Sequence, residues 1–371
     1  MMKSAHQLVL AINSGSSSLK VGVFDRETVV WNGLVDGIGK TSGMLRLTDG
    51  EGRVIAEKQE SAESQSHALS RLLEVGFDRI QHCPVAIGHR IVHGGPELLE
   101  HQPITPDVLA KMKAAEHFAP LHMPQALSLI RQTQQMFPDA LQIACFDTAF
   151  HRNMPEIARR FALPIALHRR GVHRYGFHGL SYESLVRRLG DRLPQRAVFA
   201  HLGSGSSLCA LHNGISVDTT MGMTPTGGIM MATRSGDLDP GVLLFLLRSE
   251  KLSVDDVDNL LNHEAGLAAL SGGETDMQRL LAMQKAGDPR ADLAVRAYCT
   301  SVRKAVGAYA ALLGGIDLLA FTGGIGAHSA EIRSMVCKDL EFLDLFVGSD
   351  QVLALPAEEE LQIARTCLSF I

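Results

Sequence analysis

Two arginines lie in glycine-flanked segments of this sequence, where a guanidinium group could bind an anion. Arg90 lies in GHRIVHGG and Arg234 lies in MMATRSGDLDP, and each follows a short apolar, strand-like run. A guanidinium group can form two parallel hydrogen bonds to a carboxylate or a phosphoryl group. A single arginine of this kind is often part of a structural ion pair, but two in similar surroundings favour anion binding. The two segments therefore predict a substrate that carries carboxylate or phosphate groups.

Three of the 16 histidines lie between apolar residues and a turn. They are His122 in APLHMP, His178 in YGFHGLS and His201 in FAHLGSGS. A neutral imidazole can donate a hydrogen bond to a phosphoryl oxygen, and a protonated one can offset its charge. The alternative for each is a buried histidine bonded to a backbone carbonyl. These positions are candidates for contact with a transferred phosphoryl group.

Three further residues or runs could contribute oxygen ligands or a base. Asp147 follows the apolar run 142–145, and its carboxylate could be a general base, a ligand of Mg²⁺-bound water or a cap bonded to Thr148. Asn13 ends another apolar run and could orient a hydrated Mg²⁺ or a phosphate, or form a turn. The acidic run 358–360 is typical of a solvated helix start.

Three segments combine glycine with hydroxyl side chains or a following helix, as phosphate-binding loops do. They are 13–20, 203–207 and 323–326, the last of which precedes a predicted helix that begins at Ser329. None has the Walker or the Rossmann glycine spacing. Each alone could be a simple turn between strands, and Lys20 beside the first could be solvated. Together they predict a nucleotide site of another superfamily.

The elements that position these residues alternate between strand and helix, which indicates an α/β fold. The strings NSGSSSLKV and GSGSSLCAL both read as a strand, a hydroxyl-rich turn and a second strand, and they indicate a duplicated unit. Two similar halves facing each other would form a cleft. Strands are predicted at 8–12, 19–24, 84–88, 142–145, 197–201, 208–211 and 317–322, and helices at 66–75, 106–117, 240–247, 254–261 and 291–313.

Composition narrows the class of protein. The chain has 371 residues, 46% of them hydrophobic, and a formal net charge of −5, so two folded domains are expected. The charge provides no basic field for non-specific binding of nucleic acid or of an anionic membrane surface. None of the six cysteines forms a Cys-x-x-Cys pair, and the apolar run at 8–12 is too short for a signal peptide or a membrane span. We expect buried free thiols and a cytoplasmic protein.

The motifs, taken in order, resemble the acetate/propionate/butyrate kinase family. They are INSGSSSLK, GHRIVHGG, APLHMP, FDTAFH, RYGFHGLS, HLGSGSS, DTTMGMTP, ATRSGDLDP and FTGGIG, and the resemblance extends from Leu8 to Arg365. It implies two duplicated actin-like (ribonuclease H-like) ATPase domains around a nucleotide cleft, usually in a homodimer. It also implies reversible phosphoryl transfer from ATP to a short carboxylate, with Mg²⁺ or Mn²⁺. We place the domains at 1–147, with a C-terminal helix 360–371 packed back on it, and 148–359.

The resemblance implies a role for individual residues. Asn13 and Glu359 would hold the metal; Arg90 would grip the carboxylate; Asp147 would position the carboxylate or metal; and His178 and Arg234 would stabilise the transition state. The acyl pocket would be Val92, Leu121, Phe177 and Pro225. The nucleotide would contact Ser16, Ser18, Lys20, His201, Gly203, Ser204, Gly205, Asp276, Met277, Gln278, Gly324, Ile325 and His328.

Several of these positions differ from the family pattern, and the differences gather around the adenosine. Ser204, Gln278 and His328 stand where the family usually has Asn, Arg and Asn. The expected substrate is acetate, with propionate as the alternative because one pocket residue can admit a further methylene. The alternative from another class is a paralogue that binds nucleotide or acyl phosphate without turnover.

Overall fold

The structure, a computed structural model, describes residues 7–15, 17–76, 79, 82–120 and 122–371. The chain divides into two compact units. Unit 1 comprises Met1–Arg152 and Glu358–Ile371, and unit 2 comprises Asn153–Ala357. No helix in the described part of the chain is both long and apolar enough to cross a membrane. The domain limits given by the sequence, 1–147 with 360–371 and 148–359, stay a prediction.

Unit 1 combines one sheet with helices. Its strands are β1 (Leu8–Ser14), β2 (Ser18–Asp25), β3 (Thr28–Asp36), β4 (Met44–Asp49), β5 (Val54–Gln59), β6 (Ala86–Ile91), β7 (Gln102–Pro103) and β8 (Leu141–Phe146). Its helices are α1 (Gln65–Gly76), α2 (Pro106–Ala114), α3 (Met123–Met136) and a C-terminal helix at Glu359–Leu368.

The sheet of unit 1 has the order β5-β4-β3-β2-β1-β6-β8-β7. Strands β1 to β5 pair antiparallel, whereas β6 and β8 run parallel to β1. The predicted hairpin at the start of the chain is confirmed, with Asn13 opposite Lys20. Because parallel strands end at the same edge of a sheet, the carboxyl ends of β1, β6 and β8 carry Asn13, Arg90 and Asp147 to one edge.

The C-terminal helix Glu359–Leu368 packs against β1 and β6. A close approach at Gly88 makes this possible, since a Cβ atom there would overlap the side chains of Ile363 and Cys367. On β6, His89 is buried and donates from Nε2 to Gln142 Oε1 at 2.8 Å. The Thr133 hydroxyl of α3 lies 3.0 Å from the same oxygen. This polar cluster ties α3 to the sheet.

Unit 2 has a second sheet and most of the helices. Its strands are β9 (Arg196–Leu202), β10 (Ser206–His212), β11 (Ile215–Thr219), β12 (Leu318–Thr322) and β13 (Val352–Ala354). Its helices are α4 (Glu156–Arg159), α5 (Ile165–His168), α6 (Gly179–Leu189), α7 (Pro240–Arg248), α8 (Val254–Asn259), α9 (Gly266–Ser271), α10 (Met277–Lys285), α11 (Pro289–Leu313), α12 (Gly323–His328) and α13 (Ala330–Cys337). The C-terminal helix Glu359–Leu368 of unit 1 is then α14.

The two sheets share one strand arrangement. The order in unit 2 is β11-β10-β9-β12-β13, with β9 antiparallel to β10 and parallel to β12. The strands β3-β2-β1-β6-β8 of unit 1 have the same order and the same directions. The predicted duplication and α/β class are therefore confirmed, and the two hydroxyl-rich turns occupy equivalent hairpins.

The core of unit 2 is built around α11. Asp288 caps its first turn by accepting hydrogen bonds from the N–H groups of Arg290 and Ala291, and Gly314 ends the helix with a φ of 70°. Apolar side chains along one face, from Ala291 to Ala310, are buried against β9, β10 and neighbouring helices. Burial of this face, more than intrinsic propensity, stabilises so long a helix.

Three sequence predictions need correction. The segment around Arg234 was predicted to be strand-like, but residues 229–238 are irregular because no neighbouring strand pairs with them. The predicted loop 323–326 is the short helix α12. Of the six cysteines, five are buried free thiols as expected, but Cys83 is exposed.

Candidate active site

In unit 1, Arg90 and Asp147 form a buried ion pair. Arg90 lies on β6 and Asp147 directly follows β8, so the two side chains meet at the carboxyl edge of the sheet. Arg90 donates from Nε at 2.9 Å and from Nη2 at 2.6 Å, both to Asp147 Oδ2. The Arg90 side chain is 15% exposed and that of Asp147 is 1% exposed. This contact with a guanidinium group is none of the three roles that the sequence left open for Asp147.

Asn13 extends this ion pair to the C-terminal helix. Its Oδ1 accepts from Arg90 Nη1 at 3.1 Å. Its Nδ2 donates to Glu359 Oε2 at 2.8 Å and to Glu360 Oε1 at 2.7 Å. Asn13, Arg90, Asp147 and Glu359, four residues that the sequence singled out, thus form one hydrogen-bonded network. The acidic run does begin a helix, but Glu359 is buried and not solvated.

The electrostatics of the network follow from burial and charge. Burial lowers the pKa of the Arg90 guanidinium, but the carboxylates of Asp147 and Glu359 raise it by more, so Arg90 stays charged. Burial raises the pKa of the Asp147 carboxyl, and Arg90 opposes that rise. Asp147 Oδ1 is buried and has no hydrogen-bond partner among the described residues. A buried polar atom of this kind is costly, which marks the position as a candidate contact for a ligand.

The remaining candidates of unit 1 lie around this network. Lys20 is the cross-strand neighbour of Asn13, so both side chains lie on one face of the sheet, and Lys20 is exposed. Ser18 begins β2, and its carbonyl and that of Gly15 accept hydrogen bonds from Gln65 Nε2. Val92 follows β6 and is buried. The predicted site residues Ser16 and Leu121 lie outside the described residues.

In unit 2, the turn 203–205 joins β9 to β10 and is fastened at both ends. The Gly203 N–H donates to Ser206 Oγ at 3.2 Å, and the carbonyl of the exposed Ser204 accepts from the Ala232 N–H at 3.2 Å. A Cβ atom at Gly205 would lie 3.4 Å from Arg234 Nη1 and 3.4 Å from His178 Nε2. Three predicted residues are therefore brought together at this turn.

His178 and His201 stack on each other beside the turn. Their ring centroids are 4.2 Å apart and the planes are inclined by 17°. Nδ1 of His178 lies 2.8 Å from Ser207 Oγ, and Nδ1 of His201 lies 2.9 Å from Ser181 Oγ. Both rings therefore bond a hydroxyl group through Nδ1.

Arg234 reaches the same turn from the irregular segment that precedes α7. Its Nη1 donates to the Pro225 carbonyl at 3.2 Å, which ties this half-buried guanidinium to a predicted pocket residue. Phe177 is buried immediately before His178. The turn at Gly205 is thus approached by Arg234 and His178. Of the predicted pocket residues, Pro225 is bonded to Arg234 and Phe177 precedes His178 in the sequence.

The residues predicted to contact adenosine lie at the start of α10 and along the short helix α12. Asp276 caps α10 by accepting from the Arg279 N–H, Met277 is buried in the core, and Gln278 is exposed. Gly324, Ile325 and His328 belong to α12, where Gly324 and His328 are exposed and Ile325 is half-buried. Their roles toward a nucleotide stay predictions.

Three residues of these networks were missed by the sequence reasoning. Glu360 shares the Asn13 amide with Glu359, and Ser207 and Tyr182 lie behind His178. Ser207 could have been found as the last hydroxyl of the GSGSS turn. Tyr182 offered only its spacing, one helical turn after His178, and Glu360 looked like a solvated charge.

The sequence matches the profile of the Acetokinase family over residues 8–365. Among named relatives, the acetate kinase of Coprothermobacter proteolyticus is 38% identical, with 96% of this chain and 97% of that protein covered. The acetate kinase of Rhodopseudomonas palustris is also 38% identical, again with 96% of this chain and 97% of the relative covered. The similarity therefore extends over both units.

Two solved structures share the fold over nearly their whole length. The crystal structure of Porphyromonas gingivalis acetate kinase has a TM-score of 0.85 and 35% identity, covering 98% of this chain and 99% of that one. The crystal structure of a propionate kinase from Francisella tularensis has a TM-score of 0.90 and 32% identity, covering 98% and 100%.

Proposed function

The chain belongs to the acetokinase family, and on that premise we propose that it transfers the γ-phosphoryl group of ATP reversibly to acetate. A carboxylate oxygen of acetate attacks the γ-phosphorus while the bond from phosphorus to the bridging oxygen breaks, which gives acetyl phosphate and ADP. Acetate is already a nucleophilic anion, so no proton must be removed. Catalysis then depends on positioning and on neutralising charge.

The observation that carries this proposal is the hydrogen-bonded network around the Arg90 guanidinium group in unit 1. Asp147 takes two N–H groups of Arg90, and Asn13 takes a third. A guanidinium group has five N–H donors, so two remain for the carboxylate of acetate. The ion pair also fixes the plane of the guanidinium group before substrate arrives. Arg90 is therefore proposed to bind acetate and Asp147 to orient Arg90.

Unit 2 would supply the groups that meet the phosphoryl oxygens. Arg234 Nη1 and His178 Nε2 both approach the glycine turn at Gly205, where the chain lacks a side chain. A cation and a hydrogen-bond donor in fixed positions stabilise negative charge as it shifts toward the leaving oxygen. We assign transition-state stabilisation to Arg234 and His178, and contact with the β-phosphate to the turn 203–205.

The residues proposed to hold Mg²⁺ fit that ion. Glu359 would supply a carboxylate oxygen, Asn13 would supply its amide oxygen in place of the hydrogen bond that this oxygen accepts from Arg90 Nη1, and both residues are buried. Mg²⁺ in kinases is usually bound by one or two carboxylates together with phosphates and water. No group of three or more His, Cys, Asp or Glu side chains with metal-binding geometry occurs among the described residues. When bound with ATP, the ion would neutralise phosphate charge.

Propionate is the second candidate substrate, favoured by the similarity to the Francisella tularensis propionate kinase. One methylene changes discrimination by only about 1 to 3 kcal/mol. A hydroxamate assay with acetate, propionate and butyrate at equal concentrations, with ATP and then GTP, tests both candidates. We expect the highest kcat/KM with acetate and ATP. A higher kcat/KM for propionate would select the second candidate. If no acid gave product, the protein would instead be one that binds nucleotide or acyl phosphate without turnover.

We further propose that the protein acts as a homodimer in the cytoplasm. The short-chain substrates and ATP are metabolites of that compartment. The proposed dimer is supported by an exposed apolar helix, α7, in which no residue is buried within the chain.

A further inference from the structure

We propose that Tyr182 and Ser207 are positioning residues that keep a proton on Nε2 of His178. The proposal deepens the reaction given above and rests on it for its catalytic meaning. Its structural basis is a chain of three side chains, from a phenol through a hydroxyl to an imidazole.

Ser207 lies between the other two groups and is within hydrogen-bonding distance of each. Ser207 Oγ lies 2.8 Å from His178 Nδ1 and 2.5 Å from the Tyr182 hydroxyl oxygen. Ser207 lies on β10 and Tyr182 on α6, and both are completely buried. The chain is therefore shielded from water and is anchored in one strand and one helix of the same unit.

The direction of the hydrogen bonds follows from the acidity of the groups. Ser207 has one proton and lies between two neighbours, so it accepts from one and donates to the other. A phenol is a stronger acid than an aliphatic alcohol, and hence Tyr182 donates to Ser207. Ser207 then donates to Nδ1 of His178, which leaves the proton of the neutral ring on Nε2.

The ring is also prevented from turning. His201 covers one of its faces at 4.2 Å, and His178 itself has a φ of 58° and a ψ of 24°, a left-handed conformation that is uncommon outside glycine. A strained backbone of this kind is found mainly where the surroundings impose a side-chain direction. Stacking, backbone and Ser207 together direct Nε2 toward Gly205 and Arg234.

The consequence for phosphoryl transfer concerns which nitrogen faces the anion. With the proton on Nε2, His178 donates a hydrogen bond to a phosphoryl oxygen. With the proton on Nδ1, the ring would present a lone pair to that oxygen and repel it. Tyr182 and Ser207 act on the reaction only through this choice, so they are positioning residues and not catalytic ones.

The tautomer can be measured without reference to activity. Full-length protein labelled with ¹⁵N-histidine is examined by NMR, and the His178 signals are assigned by their loss in His178→Gln. We expect a protonated Nε2 and a bare Nδ1 at neutral pH in the wild type, and a mixture of tautomers in Tyr182→Phe and Ser207→Ala. A proton on Nδ1 in the wild type would overturn the proposal.

Kinetics provide the second readout. Tyr182→Phe and Ser207→Ala should each lower kcat about 10- to 100-fold, the usual effect of groups that orient a functional side chain, with acetate KM changed less than about 2-fold. Because Tyr182 and Ser207 act on His178 through the same series of hydrogen bonds, the double variant should have a kcat no lower than that of Ser207→Ala alone. Tyr175→Phe is the matched control, since it removes another tyrosine hydroxyl of unit 2, one that donates to the Gly171 carbonyl.

The outcomes separate the positioning role from the reaction. Wild-type kcat in both variants, with an unchanged tautomer, would overturn the proposal even if the enzyme is an acetate kinase. An inactive wild type whose His178 keeps its proton on Nε2 would overturn the reaction and support the hydrogen-bond chain. If Ser207→Ala fails to fold, Tyr182→Phe, which keeps the ring volume, carries the test.

Discussion

Arg234 is half-buried, and its Nη1 lies within reach of two neutral groups of unit 2, the Pro225 carbonyl and the Met231 sulfur. If it meets the phosphoryl group mainly as charge shifts in the transition state, Arg234→Ala should lower kcat about 10³-fold and change acetate KM little. Steady-state kinetics on protein checked by circular dichroism measure this. Arg296→Ala, which removes an exposed arginine from α11, is the control. A near-native kcat in Arg234→Ala would show that Arg234 has a structural role and does not stabilise the transition state.

Arg90 should behave differently, because its partner is the carboxylate of the ground state. Arg90→Ala should raise acetate KM as well as lower kcat. It also leaves Asp147 buried without its cation, which costs about 3 to 5 kcal/mol of unfolding free energy. Arg90→Ala/Asp147→Asn should recover most of that stability and none of the activity. Urea denaturation beside acetate titrations tests this, and an equally unstable double variant would contradict it.

Residue types and local motifs were enough to select Asn13, Arg90 and Asp147, the family resemblance added Glu359, and the structure links the four in one network. Their partners could not be chosen from sequence alone. Glu359 and Asn13 are separated by most of the chain, and nothing local shows that an acidic helix start is buried against a strand end. The direction of the hydrogen bonds from Tyr182 through Ser207 to His178 likewise depends on tertiary contacts.

At the scale of elements, the start of α12 depends on one glycine. Gly323 has a φ of 76°, and a Cβ atom there would lie 2.5 Å from the Leu202 carbonyl oxygen. Gly323→Ala must therefore push the end of β12 away from β9, with a loss of about 3 kcal/mol or more. Gly314→Ala is the matched control, because Gly314 has a φ of 70° and open space around its Cα.

Thermal denaturation distinguishes backbone strain from the clash. The control carries only the strain, about 1 kcal/mol, so Gly323→Ala should melt several degrees below it. Equal melting temperatures would show that the strands at this point separate without cost. The same variant tests whether the α12 start matters for ATP, through its KM.

The buried polar cluster between α3 and the sheet leads us to predict that the protein loses stability in acid. Burial lowers the pKa of His89 to about 4, from about 6.5 in an unfolded chain. Between these values the unfolded chain binds the proton and the folded one does not, so stability falls as pH falls from 6.5 to 4. The whole effect is about 3 kcal/mol, at 1.36 kcal/mol for each pKa unit.

His89→Leu should reduce the loss of stability between pH 7 and pH 5 by about 2 kcal/mol, the part of the effect that falls above pH 5, measured as urea midpoints at pH 7, 6 and 5. It also breaks the hydrogen bond to Gln142, so it should be less stable than the wild type at pH 7. His212→Gln, which replaces an exposed histidine, is the control. A His89→Leu slope equal to the wild-type slope would contradict the prediction.

The helices and strands that could be predicted from the sequence were those with strong local signals. The helix predicted at 291–313 is α11 at Pro289–Leu313, where a capping Asp, Pro and a final Gly mark both ends. Strands β3 to β5 were missed because they contain no continuous buried run: buried and less buried residues alternate along β3 and β4, and no residue of β5 is buried. The strand-like segment at Arg234 failed for the opposite reason, an apolar run without a neighbour to pair with.

At the scale of the whole molecule, α7 is the surface that a homodimer would cover. Phe245 is 53% exposed and Leu244 is 48% exposed, and the only charged residue of the helix is Arg248. Contiguous apolar patches of this kind usually bind a partner. Leu244→Lys/Phe245→Lys should convert the dimer to a monomer in light scattering after size exclusion. Phe342→Lys, at an exposed apolar residue elsewhere in unit 2, should remain dimeric.

Helix α14 joins unit 1 although the whole of unit 2 lies before it in the chain. A ribosome adds about 5 to 20 residues per second, so the first strands wait on the order of tens of seconds for the helix that covers Gly88. During that interval Asn13 has no Glu359 to bond and one face of β6 stays open to the cell. The nascent chain at this stage presents a natural binding surface for a chaperone, and activity can begin only after synthesis has passed α14.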